Sequence, residues 1–338
     1  MYRRGALLTA ALLLTVTVVP VRAPNRAAAV NPTASMGPTS PAWPLVRVEP
    51  TTTTARHAVT PVTTPQPRIV LGAVTNRPVV ALTFDLDMTA QMAAELQNGR
   101  AGAWINQDAL SVLRSSGVHA TLFMTGMWAE LYPGLARSLA ADPHFELANH
   151  SYSHPAFHRP CYLLSGLPAG GAAWQVTHTQ AVLQRITGST PRYFRFPGGC
   201  YDRAAVDAVH AAGLIPVQWT VNALDAFNPD AYRVAAAVLA QVKPGAIVMM
   251  HLHGGPNAPA TGPALRMIIP ALARRGYQFV TVGELLQSGP ALEPTDPHEV
   301  VQAVQPSPTP PPMPVMQLRP APPACWHWNL RFRSWVRC

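Results

Sequence analysis

The sequence predicts an α/β protein, a parallel sheet covered by helices, set between two proline-rich tails that are expected to be disordered. Two observations carry that prediction. Of 37 prolines in 338 residues, 10 fall in residues 1–68 and 11 in residues 291–338, which leaves a proline-poorer folded domain at 69–290. Within that domain short β-type runs alternate with amphipathic stretches of helical period, the pattern of repeated βα units. A domain of this length buries enough surface to fold without a disulfide or a metal.

Taken in order, residues 1–23 have the anatomy of a signal peptide. Arg3 and Arg4 precede an apolar run from Gly5 to Val19, and Pro20 and a small-residue cleavage pattern ending at Ala23 follow it. The run is short for a membrane span of ~20 residues, an uncleaved anchor being the alternative. The expected location is therefore extracytoplasmic, secreted or held at the cell envelope. Residues 24–68 read as a Thr/Pro-rich linker.

Strands are expected at 79–84, 118–125, 145–148, 193–196, 215–221, 246–251 and 278–282. Helices are expected near 105–116, 132–141, 172–187, 203–212, 230–242 and 262–275. The polar residues gather at strand ends: Asp85 follows the first strand, His150 the third, Arg195 ends the fourth and His251 the sixth. An open doubly wound sheet and a closed barrel both collect functional residues there, so this placement leaves the topology open.

After the domain, residues 291–324 read as a semi-extended Pro-rich linker. Residues 325–338 form a Trp/Arg-rich C-terminal segment suited to an anionic membrane surface or an envelope polymer, with a poorly ordered exposed end as the alternative. The net charge of +9 is concentrated in the tails, which carry +6 (residues 1–68) and +1 (residues 291–338). With no basic stripe on the folded part, no nucleic-acid partner is expected, and oligomeric state is left open. The four cysteines fit an oxidising compartment. Cys161–Cys200 and Cys325–Cys338 are the favoured pairs among the three pairings, and without a CxxC spacing a four-cysteine metal site has little support.

The chemistry centres on His150-Ser-Tyr-Ser-His154. Histidines at i and i+4 on a helix or helical turn share a face and reach one metal. Pro155 and Pro160 interrupt the pattern, which makes His158 a bystander. A third ligand is commonly a carboxylate, and Asp85 and Asp87 supply two directly after a strand, where a single Asp would more often be a cap. No G-x-S-x-G elbow supports a serine hydrolase.

Thr83-Phe84-Asp85, His150 to His154, Arg195-Phe-Pro-Gly-Gly199 and strand-ending His251 occur in this order. Together they resemble the polysaccharide deacetylases, the NodB-homology domain of carbohydrate esterase family 4 (CE4), over residues 76–287. The resemblance implies a distorted (β/α) barrel, a divalent metal, most often Zn²⁺, and removal of acetyl groups from N-acetylated or O-acetylated glycan such as peptidoglycan or chitin-like oligomers. It makes Asp85 the general base, His150 and His154 metal ligands, Arg195 the partner of Asp85, His251 the general acid and Asp225 the residue that orients it. Gly198, through its backbone N–H, and Trp219 are assigned to the oxyanion and substrate side. His253, two residues beyond His251, is a rival for the acid.

The departure from the family lies at Leu86-Asp87. The family text is T-F-D-D-G, with the second Asp on the metal; here that slot is Leu86 and Asp87 stands where glycine is expected. Either a one-residue bulge after the strand brings Asp87 to the metal, or the site has only two protein ligands. The alternative is a catalytically impaired carbohydrate-binding or wall-associated module on the same fold.

Overall fold

The computed structural model describes residues 69–254 and 258–295, together with the backbone of two short strands at 326–329 and 334–337. The signal-like segment, the Thr/Pro-rich stretch and the Cys325–Cys338 pair lie outside the described residues.

The chain enters through β1 (Gly72–Ala73) and β2 (Val79–Leu86), then α1 (Ala90–Gln97), α2 (Gln107–Ser116), β3 (Ala120–Met124), α3 (Gly126–Leu131), α4 (Pro133–Ala140) and β4 (Phe145–Asn149). A long loop leads to α5 (Gly171–Thr187), β5 (Tyr193–Phe194), a 3₁₀ turn at Pro197–Gly199, α6 (Arg203–Ala211), β6 (Ile215–Pro216) and β7 (Val221–Asn222). The domain finishes with α7 (Ala231–Gln241), β8 (Ala246–His251), α8 (Thr261–Arg274), β9 (Gln278–Phe279), α9 (Val282–Leu285) and β10 (Ala291–Leu292). In the tail, β11 (Trp326–Asn329) and β12 (Ser334–Arg337) pair antiparallel with each other.

The main sheet runs β10-β1-β8-β2-β3-β4-β5-β6, parallel from β8 to β6, with β1 and β10 antiparallel at one end. It curls. Val217, just past β6, bridges to Val70, and β7 then pairs with β8 on the far side of the path. The result is the expected distorted, incomplete barrel.

Strand alternation divides β2 between two cores. Val80, Leu82, Phe84 and Leu86 face outward and pack with Leu110 and Leu113 of α2 and Ile268 and Leu272 of α8. Val79 and Ala81 face inward with Phe123, Ala148 and Ile247. A strand buried on both faces is what a parallel sheet requires, and Thr83 is accommodated there because its hydroxyl donates to the Val248 carbonyl at 2.8 Å. The helices start where short polar caps permit: Asn106, Asp202 and Asp230 accept backbone N–H groups at the starts of α2, α6 and α7.

The expected strand at 215–221 is two short strands, because after Pro216 the chain leaves β5 to bridge Val70 before reaching β8. The expected strand at 278–282 stops at Phe279. Thr281 accepts from Glu284 N–H while the Glu284 carboxylate accepts from Thr281 N–H, a capping box that starts α9 instead.

Candidate active site and metal centre

The inward face of β2 continues past the last paired residue. Register with β3 is unbroken from Leu82↔Ala120 to Leu86↔Met124, and with β8 it holds to Asp85↔His251. The paired strand therefore contains no bulge. Ordinary alternation carries Asp87 to the same side as Asp85, while Leu86 is fully buried in the outer core.

His150 and His154 do not lie on a helical turn, contrary to the i, i+4 expectation. Ser151 and His154 have φ of 65° and 58°, and the segment's hydrogen bonds go elsewhere. Ser151 N–H donates to Asn149 Oδ1, and the N–H groups of Tyr152 and Ser153 both donate to Gln175 Oε1 on α5. Tertiary anchoring in place of intrahelical bonding folds the loop so that both imidazoles meet Asp87. Asp87 Oδ1 is 3.3 Å from His150 Nε2 and 3.5 Å from His154 Nε2. His158 sits apart, with Nδ1 3.3 Å from Asp202 Oδ2.

Asp85 is held by Arg195, whose Nη1 donates to Oδ1 at 2.6 Å. The Arg195 side chain is fully buried and its guanidinium lies 3.9 Å from the centroid of the Phe123 ring, a cation–π stack inside the barrel. Across the cleft, His251 Nδ1 donates to Asp225 Oδ1 at 2.8 Å. The other oxygen of Asp225 accepts from His251 N–H and from the Thr261 hydroxyl. Burial alone would lower the His251 pKa, but the opposing Asp225 carboxylate outweighs it and holds the imidazole at about 9. His253, its rival, lies 3.4 Å from Asp87 Oδ2 and so belongs to the other half of the site.

These groups open into a cleft of about 350 Å³ bordered by Tyr162, Leu163, Leu164, Gly198, Trp219 and Phe227. A bonded Cys161–Cys200 disulfide ties the 161–164 loop to the Pro197–Gly199 turn. Gly198 has φ of 62°, and a Cβ there would lie 2.8 Å from Cys161 Sγ, so the loop and turn meet only because this residue is glycine. Phe227 was missed altogether; it is 55% exposed and stacks on Tyr162 at 5.4 Å.

Several observations fit a cation beside Asp87. Arg195 balances Asp85 and His251 balances Asp225, whereas Asp87 faces only imidazoles. The Nδ1–H of His150 donates to the Arg195 carbonyl at 2.9 Å, which turns its Nε2 toward Asp87. That Nε2 and Asp87 Oδ1 are buried and make no hydrogen bond. The contacts of 3.3 and 3.5 Å match the edge of a tetrahedron with bonds of roughly 2.0–2.1 Å. Burial pushes His154 down to about 4, leaving it neutral and able to donate a lone pair. Burial would also lower His150, but the carboxylates of Asp85 and Asp87 raise it, so the site favours positive charge. Asp87, His150 and His154 lie close enough together to hold a metal ion.

A buried Asp–His–His cluster flanked by an Asp–Arg pair and a His–Asp pair lies at the carboxyl ends of a curled parallel sheet, an arrangement that combines a candidate metal site with groups able to accept and donate a proton. Residues 72–217 match the polysaccharide deacetylase family model. The chain is 32% identical over 188 residues to a chitooligosaccharide deacetylase of Bradyrhizobium sp. (strain ANU 289), covering 53% of this chain and 83% of that protein. It belongs to the polysaccharide deacetylase family. It is also 31% identical over 187 residues to the uncharacterized protein YlxY of Bacillus subtilis (strain 168), covering 54% of each; the chain thus spans about half the length of that relative. Among solved structures, a CE4 family pseudoenzyme from Bacillus anthracis superposes with a TM-score of 0.54 at 25% identity, covering 66% of this chain and 70% of the other. A family 4 acetyl xylan esterase from Clostridium thermocellum, in complex with a cobalt ion, superposes with a TM-score of 0.51 at 28% identity, covering 65% and 94%.

Proposed function

We propose that this chain is an exported, metal-dependent deacetylase that removes acetyl groups from an N-acetylated glycan of the cell wall or a chitin-like oligomer. One observation carries the reading: Asp87, His150 and His154 converge as a buried ligand set within reach of both Asp85 and the cleft. Relatives named chitooligosaccharide and peptidoglycan-N-acetylglucosamine deacetylases support the substrate class. The signal-like residues 1–23 support export, and the Trp/Arg-rich residues 325–338 would then contact the envelope.

A divalent metal at Asp87, His150 and His154, Zn²⁺ by the donor set, would polarise the acetyl carbonyl and lower the pKa of a water. Asp85 takes the proton from the attacking water through Oδ2, because Oδ1 is committed to Arg195. The Gly198 backbone N–H assists in holding the oxyanion. His251, protonated through neutral pH, delivers a proton from Nε2 to the leaving amine, since Nδ1 is held by Asp225. Tyr162, Trp219 and Phe227 offer ring faces on which a sugar chain stacks.

The test is acetate release from N-acetylated chitooligosaccharide and peptidoglycan by the chelator-stripped full chain, with and without Zn²⁺, beside Asp85→Asn. Metal-restored release that Asp85→Asn lacks supports the reading; release indifferent to both overturns it. A second reading, a carbohydrate-binding module with impaired chemistry, is favoured by Leu86 in the ligand slot of the family pattern and by the likeness to a CE4 pseudoenzyme. Tight glycan binding without metal uptake or acetate release would establish it.

A further inference from the structure

The motifs Asp85-Leu-Asp87 and His251-Leu-His253 lie on neighbouring parallel strands in matched register. β2 and β8 pair Asp85 with His251. Two residues further on, past the last paired residues, the next inward pair is Asp87 and His253. The first pair has outside partners, Arg195 for Asp85 and Asp225 for His251. The second pair has each other: His253 Nδ1 is 3.4 Å from Asp87 Oδ2.

We infer that His253 is the positioning residue that turns Asp87 into a metal ligand, offsetting the loss of the carboxylate at Leu86. The inference rests on the metal-site reading above. Asp87 has two oxygens and the structure divides them. Oδ1 faces His150 and His154, and Oδ2 faces His253. A carboxylate one residue beyond the usual ligand position needs something to fix its torsion, and a donor on the oxygen away from the ion does this.

His253 itself is held firmly. It is 2% exposed and its Nδ1 is buried, facing Asp87 Oδ2 at the ion-pair distance of 3.4 Å. On either side the backbone is pinned: Asn106 N–H donates to the Leu252 carbonyl at 2.8 Å, and Leu252 N–H to the Asp85 carbonyl at 2.9 Å. Gly254 follows with φ of 68°, and a Cβ there would lie 2.6 Å from Asn106 N, so the chain after His253 keeps close to the start of α2. The tilted Trp104 ring, centroid 6.5 Å away, closes one side of the imidazole.

The test is calorimetric titration of the chelator-stripped full chain with Zn²⁺. His253→Phe keeps a ring but removes the donor; His253→Asn sets an amide N–H where Nδ1 stood. The expected result is Zn²⁺ affinity weakened about 10–100-fold in His253→Phe and restored to within about threefold of wild type in His253→Asn. Should His253→Phe fail to fold, His253→Ala takes its place with the same expectation. Equal affinity in His253→Phe and wild type would overturn the inference, as would equal weakening in His253→Asn and His253→Phe, which would leave only packing or direct ligation. No Zn²⁺ uptake by wild type would instead overturn the metal-site reading itself.

Discussion

His251 Nδ1 and Asp225 Oδ1 are 2.8 Å apart, and Asp225 is fully buried, so the imidazole keeps its proton where a free histidine has lost most of it. Burial works against the charged ring, but Asp225 prevails and holds it at about 9. The sign follows. The pair's contribution to stability is complete below the ordinary histidine value of about 6.5 and is lost as pH rises through about 9. The same proton serves the reaction, so the alkaline limb of the rate profile should fall near pH 9. In Asp225→Asn the largest opposition to burial is lost and only the carboxylates of Asp87 and Asp85 remain, so the limb should move to lower pH with a loss of about 10²–10⁴ in kcat. A pH–rate series on both proteins measures this.

Arg195 and Asp85 form a buried pair with side chains 0% and 6% exposed. Arg195→Leu leaves the carboxylate uncompensated inside the barrel, and urea unfolding should show a loss of about 3–5 kcal/mol. Adding Asp85→Asn removes the stranded charge and should recover a large part of that loss. A double variant no more stable than Arg195→Leu would show that the pair is not what sets the cost.

Restoring the family's carboxylate should not repair the ligand set. Leu86 points away from the cleft into the outer core, against the helices. Leu86→Asp therefore buries an unpaired acid among apolar side chains and should destabilise by about 3–5 kcal/mol with no gain in Zn²⁺ affinity. Tighter metal binding in Leu86→Asp would mean that the strand end can turn this residue inward.

The Cys161–Cys200 disulfide secures one wall of the cleft. Its paired replacement by serine should lower stability by about 2–4 kcal/mol. Because the wall carries Tyr162, Leu163 and Leu164 and none of the proton-transferring groups, the kinetic loss should fall on KM for glycan more than on kcat. Steady-state kinetics on the folded variant decide between the two.

The parallel sheet was legible because β2, β3 and β8 are near-continuous apolar runs, and the helices because their apolar faces and caps agree. What the pattern concealed was tertiary. The break between β6 and β7 depends on Val70, nearly 150 residues away. The loop holding His150 and His154 depends on Gln175 of α5, so a spacing that suited a helix turned out to be folded by a distant amide. Asp85, Arg195 and His251 were visible as polar residues at strand ends, whereas Asp225 and the role of each came only from the family resemblance. The partnership of Asp87 with His253 needed the register Asp85↔His251, although D-x-D and H-x-H were both visible. Phe227 carried no signal, being an exposed aromatic in an unremarked loop.

In the proposed site Asp87 completes a metal centre that Leu86 would otherwise have left short of a ligand. Its most direct measure is Zn²⁺ stoichiometry of the chelator-stripped full chain, wild type beside Asp87→Ala, read by calorimetry and elemental analysis. One tightly held ion per wild-type chain is expected, and none retained by a folded Asp87→Ala. Equal retention by the two proteins, or none by wild type, would contradict it.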